Sequence, residues 1–105
     1  MSLQMPDDPG RAADKWNIVT SAKFDKGRAQ YSRDKSIGRR LQERLELLPW
    51  AKDPGRLGDR KSGRLSGVYS LKISKSIRLL YVVDYDKHQI RLLGMGNHKE
   101  VYGRD

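Results

Sequence analysis

The sequence predicts an α+β fold: an N-terminal strand, a two-helix hairpin, then an antiparallel three-stranded meander, with the helices on one face of the sheet. Three observations carry the prediction. Ile37, Leu41, Leu45 and Leu48 recur at helical spacing within KSIGRRLQERLELL. From Gly67 onward the apolar period changes to two, through VYSLKIS, IRLLYVVDY and HQIRLLGMG. The short run WNIVT, rich in β-branched residues, stands alone ahead of the helical segment.

Residues 1–14 contain Pro6, Asp7, Asp8, Pro9 and Gly10 with little to bury, and read as a flexible arm ahead of a single domain over 15–105. WNIVT, residues 16–20, forms the first strand, and Ser21 can cap the helix that follows by accepting a first-turn N–H. That helix runs from about Ala22 to Tyr31 with Phe24 and Tyr31 on one face, and Gly27 weakens it by about 1 kcal/mol relative to alanine. The second helix carries the Ile37 to Leu48 stripe, with Arg and Glu on its outer faces, and Pro49 ends it. PWAKDPGRLGDRKSGRLSG then has Pro, Gly, Asp and Ser but no sustained apolar period, so a long loop is expected. It is basic, through Lys52, Arg56, Arg60, Lys61 and Arg64. A loop of this length in a small domain is either functional or a solvated connector that happens to be charged.

Loop length decides register in the meander, because strand residues alternate faces. A three-residue turn at Ser74, Lys75 and Ser76 sets Ile73 opposite Ile77, Leu71 opposite Leu79 and Tyr69 opposite Tyr81, all on one face. The other face then holds Val68 with Val82, Ser70 with Leu80 and Lys72 with Arg78. A next turn at Asp86 and Lys87 sets Ile90 beside Val83 and Leu92 beside Tyr81, and leaves Arg91 and Leu93 on the Lys72 face. Like charges directly opposite are unfavourable, with cross-strand pairs worth roughly 0.2–1 kcal/mol either way. One explanation is an anion site, a partly desolvated cationic face suited to a phosphate whose charge grows during a reaction. The other is that Lys72, Arg78 and Arg91 solvate an open sheet face, or pair with Asp84 and a loop carboxylate.

After the last strand, Gly94 and Gly96 permit a change of direction, and His98 and Tyr102 are four apart, as one helical turn stacks them. Both can move protons beside cations, since imidazole titrates near neutrality and nearby positive charge lowers a phenol's pKa. Each has an equally ordinary structural use. His88, beside the turn, reads as exposed, and Trp16 and Trp50 as core or loop anchors.

The bulk numbers narrow the function. A formal charge of +9 and a pI near 10.0 imply a polyanionic partner, nucleic acid or an acidic protein. Charged residues make up 33% of the chain and mean hydropathy is −0.82, yet the apolar residues fall in periodic runs, which favours folding over disorder. The absence of cysteine excludes disulfides, thiolate nucleophiles and Cys-based zinc sites. Two histidines ten apart with sparse acids predict no metal site. GMGN lacks the rest of a dinucleotide fingerprint, no phosphate-binding loop of NTPase spacing occurs, and no serine stands in a nucleophile elbow. No cofactor is expected. No run is long and apolar enough to span a membrane, and MSLQMPDDPGR lacks a signal peptide's apolar region, so a soluble, cytoplasmic protein is expected.

RLSGVYSLKISKSIRLLYVVDYDKHQIRLLGMGNHKEVY, with the strand and two helices before it, resembles the RelE-type toxins of type II toxin-antitoxin modules. The resemblance covers about residues 16–103. It rests on a Leu and Gly before a Tyr-containing strand, an Arg opening the next strand ahead of an apolar run ending in Tyr, and the closing E-V-Y. It implies a RelE-like fold and a ribosome-associated, metal-independent endoribonuclease that cuts mRNA with the RNA's own 2′-hydroxyl as nucleophile. It implies an acidic antitoxin as partner besides mRNA and the ribosome. Lys72, Arg78 and Tyr102 match the family's phosphate-holding and proton-transfer positions, while Ser70 and Gly96 stand where basic residues are common. His98 or Lys99 is the candidate substitute for the latter. Arg56, Arg60, Lys61, Arg64, Arg91 and Lys99 are then candidate RNA contacts. The superfamily also contains ParE-type proteins, which share the fold, lack the nuclease residues and inhibit DNA gyrase. A basic RNA-binding module without toxicity is the third alternative.

Overall fold

The computed structural model describes residues 15–61 and 67–102, with the side chains of Glu100 and Tyr102 excluded. The expected flexible arm and Arg64 lie outside the described residues.

Alternating apolar residues in the C-terminal half build the centre of a five-stranded sheet, in the spatial order β1-β5-β4-β3-β2. The strands are β1 (Asn17–Val19), β2 (Asp59–Arg60), β3 (Tyr69–Lys72), β4 (Arg78–Asp84) and β5 (Gln89–Gly96). The β3–β4 register is the one a three-residue turn demands: Tyr69 pairs with Tyr81, Ser70 with Leu80, Leu71 with Leu79 and Lys72 with Arg78. The Ile73 and Ser74 amides both donate to the Ile77 carbonyl and close the turn. Tyr81 pairs with Leu92 and Val83 with Ile90, again as the alternation predicts.

One irregularity changes the faces of β5. Leu80 pairs with Gly94 but Tyr81 with Leu92, so Leu93 has no partner on β4 and forms a bulge. Continued alternation from Leu92 would turn Met95 away from the core. The extra residue reverses the phase, so Met95 stands opposite Leu79 and is buried, while Gly96 stands opposite Arg78. The expectation that Leu93 shares the Lys72 face takes no account of this shift.

The helices follow their sequence signals. Helix α1 (Ala22–Gln30) is capped by Ser21, whose Oγ accepts from the Phe24 amide at 3.1 Å. Helix α2 (Lys35–Leu47) is capped by Asp34, which accepts from the Ile37 amide. Phe24, Leu41 and Leu48 join Trp16, Ile73, Ile77, Leu79, Tyr81, Ile90, Leu92 and Met95 in one buried cluster, with Ile37, Leu45 and Tyr31 packed against it. Each such large side chain contributes about 1.5–3 kcal/mol. Gly27 has a different role from the helix-weakening one expected. A Cβ at this position would lie 2.5 Å from the Met95 carbonyl oxygen, so the missing side chain lets α1 approach the backbone of β5.

Three features go beyond the expected architecture. β1 pairs in parallel with β5, across the whole intervening chain. The long loop is not structureless: it contains 3-10 turns at Leu48–Trp50 and Pro54–Arg56, then β2, antiparallel to β3. A short helix α3 (His98–Tyr102) contacts β4 and β5. Leu80 and Val101 are buried outside the main cluster, so the second sheet face is not left fully open. His88 is half-buried rather than exposed. Its ring stacks on Trp16 at 3.9 Å between centroids.

Candidate functional site

Two tyrosines from β4 and its turn hold the segment that leads into the site. The Tyr81 hydroxyl, fully buried, donates to the Pro54 carbonyl at 2.7 Å, and the Tyr85 hydroxyl donates to Asp53 Oδ1 at 2.7 Å. Burial pushes the Tyr81 phenol up to about 12, because the phenolate is poorly solvated inside the protein. The hydrogen bond to the Asp53 carboxylate raises Tyr85 as well. Asp53 in turn accepts from the Gly55 amide and starts the 3-10 turn. Gly58 then passes so close that a Cβ there would lie 2.8 Å from the Tyr81 oxygen. Docked this way, the chain enters β2 with Asp59 opposite Ser70, and the Lys61 amide donates to the Val68 carbonyl.

Strand alternation assigns the faces. Asp59 shares a face with its partner Ser70, and with Lys72 and Arg78 beyond it; Arg60, paired with Tyr69, points to the opposite side. Arg78 occupies the centre of a row, with Lys72 on one side and Gly96 on the other. Its Nη1 reaches diagonally across β3 to Asp59 Oδ2 at 3.2 Å. The Arg78 side chain is 34% exposed and that of Asp59 74%, so the pair is worth at most about 1 kcal/mol and exchanges readily for another anion. At the end of the row the Arg44 guanidinium of α2 donates to the Lys72 carbonyl at 3.2 Å and ties down the end of β3.

Beside Arg78 opens a cleft of about 500 Å³, lined by Lys61, Lys75, Ser76, Arg78, Asn97, His98 and Lys99. Four cationic side chains and an imidazole thus converge from β4, the β3–β4 turn, the end of β2 and the start of α3. Such a concave cationic surface concentrates field lines and attracts anions. Among the described residues no group of three or more His, Asp or Glu could hold a metal ion. No described helix is long and apolar enough to cross a membrane.

Of the residues singled out from sequence, Arg78, His98, Lys99 and Lys61 meet at this cleft, and Lys72 flanks it as the cross-strand partner of Arg78. Others are elsewhere. Arg56 is exposed and pairs with Asp53 at 3.8 Å. Arg60 lies on the reverse face. Arg91, opposite Val82, lines a separate hollow with Asp84, Tyr85 and Gln89. Arg64 and the side chain of Tyr102 lie outside the described residues. Sequence reasoning allowed for a loop carboxylate pairing with the strand cations, which for Arg78 is Asp59, without naming it, and missed Asn97, Lys75 and Ser76 as site residues. Only the last two carried a usable signal, since a three-residue turn at the end of the Lys72–Arg78 hairpin necessarily projects beside that pair.

No protein-family model and no curated protein matches the chain. Solved structures do. The YoeB dimer of Staphylococcus aureus superposes with a TM-score of 0.65 at 23% identity, over 80% of this chain and 98% of that one. The RelBE2 toxin-antitoxin complex of Mycobacterium tuberculosis gives 0.54 at 14% identity, over 80% and 92%. YafQ of E. coli gives 0.60 at 16% identity, over 85% and 100%. The chain therefore has the fold of the RelE/ParE-type toxins.

Proposed function

We propose, from the fold shared with these toxins and the cationic cleft on it, that the chain is the toxin of a type II toxin-antitoxin module and acts as a metal-independent endoribonuclease on ribosome-bound mRNA. One observation carries the reading: the hairpin register aligns Lys72 with Arg78 and sets Arg78 in a cleft with Lys61, Lys75, His98 and Lys99. A fold built for stability alone avoids that concentration of like charge. A phosphodiester passing to a pentacoordinate phosphorane gains negative charge on its non-bridging oxygens, and fixed cations stabilise that state more than the ground state.

In this reaction the RNA's 2′-oxygen bonds to phosphorus and the phosphorus–O5′ bond breaks, leaving a 2′,3′-cyclic phosphate and a 5′-hydroxyl. Arg78 and Lys72 hold the phosphoryl oxygens. The Asp59 carboxylate, already in contact with Arg78, accepts the 2′-hydroxyl proton, and His98 supplies a proton to the leaving O5′. Lys61 and Lys99 attract the flanking RNA backbone. The RelBE2 structure is a toxin-antitoxin complex, and a chain with a net charge of +9 suits an acidic antitoxin covering its basic surface.

The test is cleavage of mRNA on programmed ribosomes. Fragments ending in 2′,3′-cyclic phosphate are expected, and Lys72→Ala with Arg78→Ala should abolish them. Cleavage that survives the double substitution refutes the site. Intact RNA together with loss of gyrase supercoiling transfers the chain to the ParE-type activity.

A further inference from the structure

Ser70 is the one buried polar residue among the described core positions, 1% exposed, and its Oγ has no hydrogen-bond partner among the described residues. A buried hydroxyl left unpaired costs about 1–3 kcal/mol, so its retention calls for a physical reason. The position supplies one. Ser70 stands directly opposite Asp59 on β2, diagonally beside Arg78 on β4, and two residues before Lys72 on its own strand, with all four side chains on one face. The Arg78–Asp59 ion pair crosses β3 on this same face. The only carboxylate directly across from Ser70 is therefore engaged elsewhere, and the buried hydroxyl remains an unused donor on the face of β3 that the ion pair crosses.

We propose that Ser70 is a phosphate-binding residue: its Oγ–H donates to a non-bridging oxygen of the RNA phosphodiester once that oxygen has replaced the Asp59 carboxylate at Arg78. The inference rests on the proposed nuclease site and deepens it. A basic residue at this position would add charge and reach. A buried serine adds instead a short, neutral, directional donor that accepts only an oxygen brought close to β3. Binding satisfies a group that the free protein leaves unpaired, so part of the affinity comes from relief of that cost. Asp59, released from Arg78, is then free to act on the 2′-hydroxyl beside the bound phosphate.

The test compares wild type, Ser70→Ala and the Lys72→Ala/Arg78→Ala variant of the full chain. The probe is an RNA hexanucleotide with one central 2′-deoxy residue that prevents cleavage. Kd is measured across a salt series, and Tm is measured alongside. Ser70→Ala should bind about ten-fold more weakly at every salt concentration, the loss of one hydrogen bond to a charged acceptor. Its log Kd against log salt line should run parallel to wild type, because no cation has been removed. Its Tm should equal or exceed the wild-type value, since an unpaired hydroxyl has been deleted. Equal affinity for wild type and Ser70→Ala, with the double variant still weakened, overturns the role of Ser70 and leaves the nuclease reading standing. A fall in Tm accompanying the weaker binding overturns it too, as a structural role. Binding that none of the substitutions weakens removes the site itself.

Discussion

Replacing Tyr81 with phenylalanine deletes one oxygen atom and tests how the site is held. In the wild type that oxygen is fully buried and donates to the Pro54 carbonyl at 2.7 Å. Its loss takes that bond from the Pro54 carbonyl, which keeps the Leu57 amide as a donor at 3.3 Å, and deprives the Gly58 amide of the Tyr81 oxygen it donates to, at about 1–3 kcal/mol near neutral pH. The pH dependence sharpens the prediction. The folded protein holds the Tyr81 proton until about pH 12, whereas the unfolded chain releases it near 10. Above pH 10 the unfolded state binds fewer protons than the folded one, so wild-type stability falls as pH rises. One pKa unit is about 1.4 kcal/mol, so this group takes away about 2–3 kcal/mol between pH 10 and 12. The phenylalanine variant has no such term, and every other titrating group is common to both proteins. The stability difference should therefore be about 2 kcal/mol in urea titrations at pH 8 and shrink toward zero by pH 12. A difference that stays constant over this range, or a variant as stable as wild type at pH 8, refutes the reasoning. Because Tyr81 tethers the segment entering β2, amide exchange at Lys61 should also accelerate in the variant.

The two helical glycines should respond oppositely to alanine. Gly27→Ala forces a Cβ against the Met95 backbone and should destabilise by about 1–3 kcal/mol, whereas Gly38, with nothing within 4 Å, should gain about 0.5–1 kcal/mol; thermal melts distinguish them. Asp59→Asn should alter stability by less than about 1 kcal/mol, since its ion pair is exposed. It should nevertheless slow RNA cleavage about a hundred-fold. Lys61→Ala and Lys99→Ala should each lower the slope of log Kd against log salt by about 0.7, the signature of one phosphate contact to single-stranded RNA.

The central hairpin was legible because six apolar or aromatic residues, from Tyr69 to Tyr81, are consistent with only one turn length, and that length also pairs Lys72 with Arg78. The helices were legible through Ser21 and the Ile37 to Leu48 stripe. β2 was not, because two residues produce no period; Tyr81 on β4 and Tyr85 in the turn after it hold it in place. The parallel pairing of β1 with β5 left no local trace either, since it joins segments about seventy residues apart. The cleft was half legible: Arg78 and His98 declared themselves by residue type and position. Asp59 did not, because its importance comes from a diagonal reach across β3. Ser70 looked from sequence like a missing cation. Only its burial and lack of a partner revealed a donor.

The bulge at Leu93 gives β5 an edit-sensitive point. Upstream of it the strand presents Arg91 outward; downstream, the same outward row continues as Gly94 and Gly96. Deleting Leu93 removes the unpaired residue and keeps Met95 opposite Leu79 and Gly96 opposite Arg78, whereas pairing Leu93 with Leu80 and losing the bulge exchanges inside for outside over the last stretch of strand before His98. Met95 would then occupy the space beside Arg78 that Gly96 leaves open, and a glycine would face Leu79. The cleft is therefore kept by a deletion at Leu93 and lost by any change that draws Leu93 into the ladder while every residue is retained.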